Sequence, residues 1–139
     1  MTTYKLTVIE KDGFLHAIVT GPNTKETVAQ SLQDIYKACL ARNCLRVLIE
    51  ERLEGPLLGT MDLFDVVSEG SRNGRKLRAI AYVNEKLEGD LMQFAEHVAV
   101  NRGVAGRVFK TVAAAEEWLV KTAPAAAAPG AADQSTPAN

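Results

Sequence analysis

Glu50, Glu51, Arg52 and Glu54 follow directly on a short apolar run, Leu45-Arg46-Val47-Leu48-Ile49. Two adjacent carboxylates with an arginine are the makings of an acid/base pair, one carboxyl holding a proton and the other ionised. No Ser, Cys or His stands beside them in sequence to complete a nucleophilic set. A solvated charged loop is therefore the preferred reading, with a hydrolytic use of Glu50, Glu51 and Arg52 together with His97 as the remote one. His16 falls on a strand pattern with Phe14 and Ile18, and His97 on a helical pattern between Glu96 and Val98. Neither has the spacing of a metal ligand set, so both read as partly buried structural histidines, with a proton-sensing or metal role as the alternative. Cys39 and Cys44 make no disulfide framework and no zinc pattern, and read as ordinary thiols.

Thr60 follows Gly55, Pro56 and Gly59 and opens a helical pattern. A helix start offers free N–H groups and the positive end of the helix dipole. Thr60 is thus a candidate phosphoacceptor or anion contact, while its plainer role is an N-cap hydroxyl. Asp62, within the first turn, already supplies the negative charge that such a terminus favours and would repel a phosphate. Leu53, Leu57, Leu58 and Met61 are large apolar residues in a stretch where polar turn residues are expected. Either this loop folds over the core or it shows an apolar patch to another chain or a greasy ligand. Leu53, Leu57, Leu58, Gly59, Thr60, Met61 and Asp62 are accordingly the candidate partner- or ligand-binding residues. Two basic corners, Arg72, Arg75, Lys76 and Arg78, and Asn101-Arg102-Gly103 with Arg107, read as solvated faces, with contact to an acidic partner or a phosphate as the alternative.

These residues must be held by an α/β scaffold. Tyr4 to Val8 alternates, Lys11-Asp12-Gly13 is a hairpin turn, and Phe14 to Thr20 returns. Asn23 with Glu26 reads as a capping box opening a helix whose buried stripe is Val28, Leu32, Ile35 and Cys39. Asn43 closes it in the left-handed region. Leu45 to Ile49 is a buried strand and Glu50 to Gly59 a loop. A helix runs from Thr60 to about Gly70, then come a polar turn at Ser71 to Gly74 and a strand from Lys76 to Val83, with Leu77, Ala79, Ala81 and Val83 on one face. Asp90 and Gln93 read as another capping box, ahead of a helix lined by Leu91, Phe94, Val98 and Ala99. Gly106 to Lys110 is a last strand. Thr111 caps a final helix with Val112, Ala115 and Leu119 inward and Trp118 covering the sheet edge. The order β-β-α-β-α-β-α-β-α predicts a five-stranded mixed, mostly parallel sheet covered by helices.

The totals suit one domain: 139 residues, 47% apolar and 24% charged. A net charge of -1 argues against nucleic acid. No apolar run approaches the roughly 20 residues of a membrane span, and no signal-peptide pattern is seen, so a cytoplasmic protein is expected. The domain is expected over residues 1–122, with a disordered Ala/Pro-rich tail over 123–139.

The element order, together with Phe94-Ala95-Glu96-His97-Val98-Ala99-Val100-Asn101-Arg102-Gly103, then Arg107-Val108-Phe109 and Ala114 to Leu119, resembles bacterial STAS / SpoIIAA-like proteins over about residues 4–121. That resemblance implies a non-enzymatic regulatory or protein-binding module similar to anti-sigma-factor antagonists. In regulatory members a Ser or Thr at the start of the second helix is phosphorylated by a partner kinase, in a site reading Asp-Ser-Ser/Thr-Gly. Here the matching stretch is Pro56-Leu57-Leu58-Gly59-Thr60-Met61-Asp62, with Thr60 the one hydroxyl and no preceding Asp. The resemblance thus implies Thr60 as phosphoacceptor, a protein partner or self-association, and no metal or cofactor. Some SpoIIAA-like members are similar to lipid-carrier folds. The alternative is therefore a carrier or sensor of a small apolar, lipid-like ligand, which requires an enclosed cavity of about 300 Å³ or more.

Overall fold

The computed structural model describes residues 3–87 and 89–123. The elements are β1 (Lys5–Lys11), β2 (Phe14–Pro22), α1 (Lys25–Ala41), β3 (Arg46–Glu54), α2 (Thr60–Gly74), β4 (Ala79–Val83), α3 (Gly89–Asn101), β5 (Gly106–Phe109) and α4 (Val112–Lys121). The predicted order and class hold. The tail expected over 123–139 lies, from residue 124 onward, outside the described residues.

The five strands lie in the order β1-β2-β3-β4-β5. β1 and β2 form the antiparallel hairpin, with Lys11 opposite Phe14 and Gly13 at φ 89° in the turn, where a side chain would be strained. All other pairs are parallel. Each crossover steps the same way along the sheet, so right-handed connections put α1, α2 and α3 on one face. Val19, Val47 and Ile49, fully buried, meet Val28, Leu32 and Ile35 of α1 there. Full burial of each such side chain contributes roughly 1.5–3 kcal/mol. On the opposite face Phe14, Leu48, Ala79, Ala81 and Val83 pack against Ala115 and Leu119 of α4, with Trp118 against Phe109 at 5.7 Å. The Arg46 guanidinium ties α4 down by donating to the carbonyls of Leu119 and Thr122 and to the Thr122 hydroxyl.

Several boundaries differ from expectation. Asn23 does not cap α1. Thr24 does, accepting from the Thr27 N–H at 3.1 Å, because Asn23 is bound across to the β3–α2 connection. Asp90 is no cap either but a first-turn residue of α3. Asn43 takes φ 52°, as expected, and the Cys44 N–H closes α1 onto the Cys39 carbonyl at 3.0 Å. Ser71 to Gly74 continues α2, because Ser71 and Gly74 turn inward and the small Gly74 lies against Tyr36 and Val104. β4 starts only at Ala79. Leu77, outside the strand, joins the core under α1, not the face that Ala79, Ala81 and Val83 share.

The largest difference is at β3. It does not end at Ile49 but runs on to Glu54, because β2 offers it partners as far as Pro22: Ile18 opposite Glu50, Val19 opposite Glu51, Gly21 opposite Leu53. Five residues expected in a loop, Glu50 to Glu54, therefore alternate between two faces.

Candidate functional site

Beyond Glu54 the chain turns at Gly55, which has φ 111°, and reaches Gly59 before α2 begins. The turn is fastened from two sides. Lys86 Nζ donates to the carbonyls of Leu53 (3.2 Å) and Gly55 (3.0 Å). Asn23 donates from its amide to the Pro56 carbonyl (2.9 Å) and from its backbone to the Glu54 carbonyl (2.7 Å). Within this frame the apolar residues divide. Leu53 is core, while Leu57 and Leu58 are half-buried lids over it. Gly59, Thr60, Met61 and Asp62 are exposed, and Met61 is 72% exposed. The leucines of this loop thus fold over the core, and of its large apolar residues Met61 is the one left exposed.

Thr60 is not the N-cap. Gly59 occupies that position and provides no side-chain bond, so Thr60 is the first helical residue, with a hydroxyl that caps nothing. Thr60→Ala is accordingly expected to change stability by less than about 0.5 kcal/mol in urea unfolding. A loss near 1 kcal/mol would show that the hydroxyl caps after all.

Glu50 and Glu51 point to opposite faces of the sheet and cannot work as a pair. Glu50 accepts from Arg52 Nε at 2.7 Å and lies 2.9 Å from His16 Nε2. Burial pushes its carboxyl up, but the bonds and charges of Arg52 and His16 outweigh this and hold it below its ordinary value. His97, the histidine expected to join them in the remote reading, is exposed on α3, and the one that meets Glu50 is His16. Thirty-four residues separate that pair, and only the β2–β3 register brings them together.

Glu51 is the residue that the charged-loop reading misplaced. It is buried beneath the lid, with Asn84 Nδ2 donating to Oε1 at 3.2 Å and Oε2 without a hydrogen bond among the described residues. Burial pushes its carboxyl up to about 7, against the opposing influence of Tyr82 and Asn84. A void of about 20 Å³ adjoins it, walled by Asn23, Leu57, Leu58, Leu63 and Leu87, room for one water. A signal did exist: Val47, Ile49, Glu51 and Leu53 continue one period-2 face.

Two larger spaces flank the site. An apolar cleft of about 70 Å³ lies between the sheet and α1–α3, lined by Val28, Leu32, Leu63, Val66 and Ala95. A polar groove of about 380 Å³ opens at the carboxyl ends of β3–β5, with Glu50, Arg52, Asn84, Lys86, Lys110 and Thr111 on its walls. That is the end where parallel sheets place ligands. In the basic corners, Arg102 lies over the Phe64 ring at 5.3 Å and Arg107 over Phe109 at 5.5 Å. Cys39 is buried, and burial pushes its thiol up to about 12, in keeping with a structural role. Among the described residues no group of three or more His, Cys, Asp or Glu could hold a metal ion, and no helix is long and apolar enough to cross a membrane.

No family model matches the chain, and no curated protein matches it. Among solved structures it is similar to an uncharacterized protein from the DUF3478 family with a SpoIIAA-like fold, from Shewanella loihica PV-4. The two are 18% identical, the match covers 86% of this chain and 95% of that one, and the TM-score is 0.51. The hairpin, the three parallel crossovers and α4 on the far face, with that likeness, make this a SpoIIAA-like fold.

Proposed function

We propose that this protein is a non-enzymatic regulatory module of the bacterial cytoplasm that binds a protein partner through the exposed start of α2, residues Gly59 to Asp62. Met61 carries this reading: a large apolar side chain, 72% exposed, in the first turn of a helix on a fastened loop. Such an anchor is what interfaces bury at their centre. Thr60, exposed beside it, is the phosphoacceptor candidate, where an added phosphate would change the charge of the contact surface. Met61→Asp is expected to weaken the partner complex, or a self-associated form, about tenfold. Native mass spectrometry of the protein from its own host, followed by titration of wild type and variant, measures this. An unchanged complex would overturn the reading. A phosphoryl mass on Thr60, with altered binding in Thr60→Glu, would support the switch.

The lipid-like carrier has one observation in its favour, the apolar lining of the cleft under α1–α3. At about 70 Å³ that cleft is well below the ~300 Å³ of a ligand pocket. A lipid-like adduct in the same spectrum would reverse the preference.

A further inference from the structure

α1 and α2 run side by side in the same direction and are clamped at two points. Lys25 Nζ pairs with Asp65 Oδ2 at 3.0 Å, and Asn73 Nδ2 donates to Gln33 Oε1 at 3.1 Å. Both clamps join residues 40 apart, so the helices keep one register between them. Between the clamps the facing residues are small, and an open groove of about 570 Å³ remains, with Ala29, Val66 and Gly70 in it and Glu26, Gln30 and Glu69 at its rim.

The charge of this groove is one-sided. Of the residues that line it, Glu26 and Glu69 are carboxylates and none is a cation, an excess of two negative charges, while Lys25, outside the lining, is paired with Asp65. Asp65 above all, with Asp62 and Glu69, holds Lys25 above its ordinary value, so that cation is already engaged. Arg72 lies in the last turn of α2, outside the groove lining. Glu26 and Glu69 stand exposed over an apolar floor. That combination fits a long cationic side chain, whose methylenes cover apolar surface while its head meets carboxylates. The groove lies on the same helix as the candidate site, with Val66 five residues after Met61.

We propose that the α1–α2 groove seats an arginine- or lysine-bearing segment of a protein partner, its aliphatic stem on Ala29 and Val66 and its cationic head between Glu26 and Glu69. This names the chemistry of the partner in the binding role proposed above and rests on that reading. A second copy of the chain, itself at net charge -1, is the poorer complement.

The test is a nuclear magnetic resonance titration of the full chain with a short peptide carrying Arg and Leu on one helical face, and with the same peptide bearing Glu for Arg. The Arg peptide is expected to saturate, with shifts centred on Glu26, Ala29, Gln30, Val66 and Glu69. Glu26→Gln with Glu69→Gln removes the charge and keeps the shape, while Ala29→Gln fills the groove and keeps the charge. Each is expected to weaken binding about tenfold, whereas Glu117→Gln on α4 leaves it unchanged. Shifts spread over carboxylates all round the molecule, or binding indifferent to Ala29→Gln, would overturn the proposal. So would groove variants that change only the oligomeric mass. Groove binding that persists alongside a partner complex indifferent to Met61→Asp would instead sink the Met61 surface alone.

Discussion

Glu51→Gln is expected to make the protein more stable at pH 8 and to leave it unchanged near pH 4. In the unfolded chain this carboxyl titrates near its ordinary ~4.3. In the fold, burial pushes it up to about 7. Below the unfolded value both states carry the proton and the carboxyl contributes no pH dependence. Between the two values the unfolded chain is ionised while the fold still holds its proton, so stability falls as pH rises. Above about 7 the loss is complete and is on the order of 3–4 kcal/mol at most. Asn84 and Tyr82 are the groups that face the carboxyl, with Tyr36 close enough to feel its charge, and among the described residues no cation is paired with it. Glutamine keeps an oxygen for Asn84 and removes the charge. Urea unfolding of both proteins from pH 4 to pH 8 measures this. Wild-type curves that do not fall across the range, or a variant that falls in parallel with wild type, would refute a buried carboxyl under the lid.

The second large effect concerns the far face. Arg46 donates to three acceptors at the end of α4: the Leu119 carbonyl and the carbonyl and hydroxyl of Thr122. The last carbonyls of a helix have no partners within it, and here a guanidinium from the first residue of β3 serves them. Arg46→Ala is expected to cost about 2 kcal/mol, the scale of hydrogen bonds made by a charged group. Hydrogen exchange should localise the damage, with the amides of Ala115 to Leu119 losing protection before those of β3. Because Leu48, Ala81 and Val83 are covered by that helix, its loosening exposes core. Arg46→Lys should recover less than half of the loss, since one ammonium cannot reproduce a fork that reaches separate acceptors. Equal protection of α4 in wild type and Arg46→Ala would show that packing of Ala115 and Leu119 alone holds it.

The sequence determined the scaffold. Period-2 and period-3.6 apolar patterns, the Asp12-Gly13 turn, the left-handed Asn43 and the Thr111 cap are local signals, each set by backbone sterics and burial within a few residues. They sufficed for the element order and the class, and for the stripe Val28, Leu32, Ile35 and Cys39. They failed where a distant strand or loop competes for a residue. β3 reaches Glu54 because β2 lies alongside, and Asn23 leaves the cap to Thr24 because the Pro56 carbonyl is within its reach. The candidate site was legible only in part. That Leu53 to Met61 is unusual showed in composition, but which of its leucines are core and which residue is exposed depends on where the core ends, which is a property of the packed molecule. Only the tertiary structure could bury Glu51, pair His16 with Glu50, and set the carboxylates of two helices across a groove, because Coulomb forces and desolvation act on distance in space and not on separation along the chain.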